Sequence, residues 1–169
     1  MSTVAVEKID EKKLETANVF KELKELSERI RKHAFEIFEK HNGGEGFDME
    51  DWLKAERDLL CMPESEFLEK DGEFEIRMNA PGFEPDELKV TALPDAIIVN
   101  AASTHKHDKT EGKVRFCEFG HKTLFRRFDL PEKIAVDKVT ASLDKGMLLL
   151  TALKAKTGEA EPKPVAIAA

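Results

Sequence analysis

The stretch from Val139 to Leu153 constrains the fold most. Val139, Ala141 and Leu143 alternate with polar neighbours, and Met147 to Leu153 follows as a second apolar run. A period of two puts one set of side chains on a single face of a half-buried strand. Asp144-Lys145-Gly146 between the runs supplies turn chemistry, with Gly146 free to take positive φ. A β-hairpin is expected here. By itself a hairpin defines no fold; the segments around it do.

From Pro63 onward the period of two persists. Phe67 to Met78 alternates across Asp71-Gly72, a second hairpin signal. Ala80-Pro81-Gly82-Phe83 is a turn, and Pro85 keeps the next loop out of a strand interior. Leu88 to Ala92 alternates again, and Pro94-Asp95 turns the chain into the apolar run Ile97-Ile98-Val99. Residues 102–113 are polar and charged, hence a loop, with a short strand expected from Val114 to Phe119. Leu124 to Leu130 is a strand that Pro131 ends. Seven or eight short strands separated by turn signals describe an all-β sandwich over about residues 64–154.

Before Pro63 the period is helical. Phe20, Leu23, Leu26, Ile30, Ala34 and Ile37 recur at steps of three and four, which predicts an amphipathic helix over about 14–41. Phe35 and Phe38 widen its apolar stripe, and Gly43, Gly44 and Gly46 stop it. Asp48 is a suitable N-cap for a second helix, about 48–60, carrying Trp52, Leu53, Leu59 and Leu60. Residues 1–63 are thus expected to be a helical N-terminal region. Residues 155–169 are expected to be a flexible extension, proline-rich before Val165-Ala166-Ile167. Two apolar residues on one side of an extended segment suit a groove along a sheet edge.

Composition narrows the function classes. A net charge of −7 with 36% charged residues argues against a nucleic-acid binder. No apolar run approaches the roughly 20 residues of a membrane span. Two cysteines, Cys61 and Cys117, make no disulfide framework, so a cytoplasmic location is expected, with Cys117 a reduced thiol and Cys61 packed in a core. His105, His107 and His121 have no partner cysteines at ligand spacing and read as solvated loop residues rather than metal ligands. No catalytic constellation stands out, so no enzyme activity and no cofactor are expected.

Four motifs in order resemble the small heat shock proteins, built on an α-crystallin domain of immunoglobulin-like β-sandwich fold. They are Ala141 followed by Gly146-Met147-Leu148, Asn79-Ala80-Pro81-Gly82-Phe83 before Leu88-Lys89-Val90, Phe125-Arg126-Arg127-Phe128-Asp129-Leu130-Pro131, and Val165-Ala166-Ile167. The resemblance covers residues 64–169. Leu149 departs from a usually polar position, Lys154-Ala155 from a customary proline, and Phe119 from a common basic residue that serves an ion pair across the dimer. Residues 31–60 resemble a small helical module of bacterial proteins of unassigned role.

The resemblance implies an ATP-independent chaperone, a holdase that keeps unfolding proteins from aggregating under stress. Its partners are non-native client proteins and further copies of itself, as a homodimer assembling into larger homo-oligomers. In the bacterial and plant class a strand, here Val114 to Glu118, crosses to the partner subunit's sheet. Val114, Phe116, Glu118, Arg126 and Arg127 are then the dimer-interface candidates. Val165 and Ile167 are the tail docking motif, for a groove lined by Leu88, Val90, Ala92, Val139, Ala141 and Leu143. The apolar helix face of Phe20, Leu23, Leu26, Ile30, Phe35 and Phe38 is the candidate client surface. A rival from another class is a monomeric β-sandwich module of the co-chaperone type that binds one dedicated partner.

Overall fold

The computed structural model describes residues 2–9, 18–41, 48–104 and 121–155. Two short strands, β1 (Ser2–Thr3) and β2 (Val6–Lys8), precede two helices, α1 (Asn18–Lys40) and α2 (Asp48–Leu59). Seven strands follow: β3 (Ser65–Lys70), β4 (Glu73–Asn79), β5 (Leu88–Leu93), β6 (Ala96–Thr104), β7 (His121–Asp129), β8 (Ile134–Asp144) and β9 (Met147–Lys154). They form two sheets, in the orders β1-β8-β9-β4-β3 and β2-β5-β6-β7. The architecture is the expected β-sandwich with helices on its N-terminal side.

Alternation builds the core. Phe74, Ile76 and Met78 of β4 face Leu148, Leu150 and Ala152 of β9 in register, and all six are buried. Val90 and Ala92 of β5 and Ile97 and Val99 of β6 close the cluster from the other sheet. Intervening residues point outward, as Arg77 does from β4. The β8–β9 hairpin pairs Asp144 with Met147, leaving a two-residue loop in which Lys145 has φ +48° and Gly146 φ +78°. Positive φ at both loop residues is the turn whose twist suits paired strands.

Two strands are longer than expected. β6 runs past Val99 to Thr104, inside the loop read over 102–113, because Ala102, Ser103 and Thr104 find partners in Thr123, Lys122 and His121. β8 starts at Ile134 rather than Val139, across an irregularity where Ile134 pairs with Lys154 and Val139 with Ala152. Backbone pairing extended both, where side-chain pattern alone did not.

The helices do not stand apart. Val19 and Phe20 of α1 pack with Ile9 on Leu93, Ala96 and Ile98, the outer face of the four-stranded sheet. Leu26, Ile30 and Ile37 pack against Ala55 of α2, with Trp52, Leu59, Leu60 and Phe125 around them. Asp48, Glu50 and Asp51 in the first turn of α2 and Arg57 in its last complement the helix dipole. One expectation needs correction. Residues 2–9, inside the region read as helical, form β1 and β2, since Val4 and Val6 alternate with Ala5 and find open strand edges to pair with.

Charges lock the outer face of the five-stranded sheet. Glu75 is nearly buried between Lys70, which donates a hydrogen bond to it, and Arg77, whose Nε lies 2.7 Å from Oε1. Hydrogen bonding from Lys70 first, then from Arg77, holds the Glu75 carboxyl below its ordinary value near 4.5. Lys154 reaches Glu132 at 2.7 Å and Glu69 at 2.5 Å, and lies 4.9 Å from the Phe74 ring centroid. Glu132 first, then Glu69, raises its pKa above 10.5. The ammonium thus fastens the end of β9 to β3 where the customary proline is missing.

Gly146→Ala should lower the unfolding free energy by about 1–2 kcal/mol, the cost of a Cβ in the left-handed region. Lys145→Asn should raise it by up to about 1 kcal/mol, since asparagine adopts that region more readily. Urea midpoints check both; unchanged midpoints would contradict the turn geometry. Because the Glu75 pKa is depressed, its stabilisation is present above about pH 4.5 and lost as pH falls through the folded value. Glu75→Gln should therefore be less stable than the parent at neutral pH and flatter in its acid dependence.

Candidate functional site

The candidate site lies where β5 and β8 come to the same side of the two sheets. Without β1 and β2 each would be an edge strand, with a row of unpaired backbone groups. Leu88, Val90 and Ala92 on one side, and Val139, Ala141 and Leu143 on the other, are all buried in one apolar cluster with Val4. The six groove residues expected from the sequence are therefore brought together.

Residues 2–9 fill the space between these strands. Ser2 pairs with Leu143 and Thr3 with Ser142, antiparallel to β8. Val6 pairs with Val90, Glu7 with Thr91 and Lys8 with Ala92, parallel to β5. Three backbone bonds complete the bridge: Val4 N–H donates to the Ala141 carbonyl at 3.0 Å, Val90 N–H to Ala5 at 3.3 Å, and Ile9 N–H to Ala92 at 3.0 Å. Val4 is 2% exposed, Val6 half-buried and Ala5 exposed. Burying a valine fully is worth about 1.5–3 kcal/mol at most. The Lys8 ammonium adds a bond to the Asp137 carbonyl. Sequence reasoning missed Val4, Val6 and Ile9, although Val4-Ala5-Val6 has the spacing of Val165-Ala166-Ile167.

The other candidates scatter. Val165 and Ile167, and Val114, Phe116 and Glu118, lie outside the described residues, as do Cys117, His105 and His107. Arg126 donates to the Pro63 carbonyl at 3.1 Å and lies 5.4 Å from the Phe128 ring centroid. Arg127 donates to Asp129 at 2.7 Å. Both arginines therefore have partners within the chain. Cys61 is half-buried against the main core and its N–H donates to the Thr123 carbonyl at 2.8 Å.

The apolar helix face divides in two. Leu26 and Ile30 are buried between the helices, and Phe20 packs on the sheet. Leu23 is 39% and Phe35 57% exposed, and Phe35 stacks on Phe38 with ring centroids 6.3 Å apart. Phe35 and Phe38 line a shallow depression of about 270 Å³ with Ala34 and Trp52. A larger cavity of about 430 Å³ lies between α1 and the four-stranded sheet, where Glu22 binds Lys89 at 2.6 Å and Asn100. Among the described residues no cluster of three metal-ligating side chains occurs, and no helix is long and apolar enough to cross a membrane.

Comparison with known proteins agrees with this geometry. A model described as the Hsp20/alpha crystallin family matches residues 66–168. A second, described as a protein of unknown function (DUF2934), matches residues 25–60, within the helical hairpin. The chain is 33% identical over 105 residues to the chloroplastic heat shock 22 kDa protein of Chlamydomonas reinhardtii, covering 60% of this chain and 67% of that one. It is 35% identical over 94 residues to the 18.1 kDa class I heat shock protein of Pisum sativum, covering 54% and 59%. The matched stretch thus spans about three fifths of the pea relative and two thirds of the algal one. Heat shock protein 16.0 from Schizosaccharomyces pombe shares the fold, with a TM-score of 0.50 at 21% identity over 64% of this chain and 99% of that one.

Proposed function

Because the chain belongs to the Hsp20/alpha crystallin family, we propose that it is an ATP-independent chaperone that holds unfolding proteins and keeps them from aggregating. The observation that carries this reading is the apolar groove between β5 and β8, closed by the extended segment Ser2–Ile9, whose short strands β1 and β2 pair with the two edges. A surface that recognises extended backbone and branched apolar side chains two residues apart recognises what unfolded chains display. The exposed Leu23 and Phe35, with the half-buried Phe38 beside Phe35, offer a second apolar surface for clients.

Assembly follows from the same groove. Val165-Ala166-Ile167 of one subunit docks between β5 and β8 of another, a head-to-tail contact that propagates. Each contact is weak, since ordering the linker offsets part of the burial, and multivalency makes the assembly strong yet exchangeable. Within the dimer, Val114 to Glu118 pairs with the partner subunit's sheet. Among the described residues β3 has a neighbour on one side only, so its outer edge is available for such a strand. Two cysteines in 169 residues suit the reducing cytoplasm.

Light scattering from a heat-labile client tests the function, with and without this chain and with no ATP. Suppression near stoichiometric ratios is the expected result. Undiminished scattering, also after warming the chain first, would overturn the reading in favour of a module serving one dedicated partner.

A further inference from the structure

The groove already has an occupant, and that occupant is part of this chain. Val4-Ala5-Val6 and Val165-Ala166-Ile167 are the same motif twice: valine, alanine, then a second β-branched residue. The first copy lies in the groove with Val4 fully buried among Val90, Ala92, Ala141 and Leu143. Its backbone takes the hydrogen-bonding edges of both strands, Ala141 on β8 and Val90 and Ala92 on β5. A second segment cannot use those edges at the same time.

We propose that Ser2–Ile9 is an exchangeable internal ligand of the β5–β8 groove, and that Val165-Ala166-Ile167 docks only where this segment has left. The inference rests on the tail-docking reading above and adds a competitor to it.

Three features suit a segment that leaves. Its two strands have two and three residues, so few bonds hold each end. Of the groove-facing side chains, Val6 remains half-buried. Ser2, Thr3, Ala5, Glu7 and Lys8 point away from the core, so release exposes only Val4, Val6 and Ile9 in addition to the groove. Ile9 sets the far anchor, packed with Val19 of α1 on Leu93, Ala96 and Ile98. Release of the segment therefore also loosens the seat of α1, which links tail docking to the exposure of the helix face. A strand edge that is always covered, by one segment or the other, carries no standing aggregation hazard.

The test uses the full chain carrying Val165→Gly and Ile167→Gly, so that its own tail does not compete. A fluorescent peptide of residues 161–169 is titrated by anisotropy against this chain and against one that also carries Val4→Gly and Val6→Gly. The apparent affinity of a site falls by the fraction of time it is open, so removing the internal ligand should tighten binding about tenfold or more. Equal binding to both chains would overturn the competition while leaving tail docking intact. A peptide that binds neither chain, although a peptide of residues 2–9 binds the quadruple variant, would overturn tail docking and the competition with it. In the unaltered chain, where folding is not at issue, saturating tail peptide should speed amide exchange at Val4 and Ile9, whose N–H groups leave with the segment, and leave the β4–β9 amides unchanged. Unchanged exchange at Val4 under saturation would also overturn the proposal.

Discussion

The structure depends on keeping two strand edges covered. But for β1 and β2, β5 and β8 would end their sheets on the same side of the sandwich, and both carry apolar side chains toward the gap between the sheets. An open edge of this length and apolarity pairs with whatever extended chain is near. Covering it with a short, non-covalently held segment is what lets the proposed function use the same feature as a recognition site. On the proposed reading, stability and function draw on one set of residues: Leu88, Val90, Ala92, Val139, Ala141 and Leu143, all buried.

The segment over the groove also joins the two parts of the chain. Val4 belongs to the core between the sheets, while Ile9, five residues on, belongs to the cluster under α1. α1 in turn shares Phe125 of β7 with the α1–α2 core. The start of α1 is thus seated on the outer face of the four-stranded sheet, where it covers Leu93, Ala96 and Ile98. The five-stranded sheet has no such cover, and its outer face is held by Glu75 with Lys70 and Arg77, and by Lys154 with Glu69 and Glu132. Apolar cover on one side and ion pairs on the other fit the alternation of each strand.

Much of this was legible in the sequence, for a physical reason. β4 and β5 have a period of two that a strand explains, and Gly72 and Gly146, both at positive φ, mark the turns before β4 and before the apolar run of β9. α1 has a period near 3.6 and a glycine stop. What was not legible depended on neighbours distant in the chain. Residues 134–138 show no clean alternation and are strand because Lys154 and the turn at Pro94 bind them. β1 and β2 are too short for any periodic window, yet the sheet edges select them. From sequence alone the apolar stripe of α1 is one surface. Helical spacing tells which residues share a face, not that Leu26 and Ile30 would meet Ala55 while Phe35 met solvent.

The central claim is that this edge, once free, is where copies of the chain link. Native mass spectrometry of the unaltered chain beside the Val165→Gly, Ile167→Gly variant tests it most directly. The account predicts assemblies larger than a dimer for the first and a shift toward dimers for the second. Identical mass distributions for the two chains would contradict it.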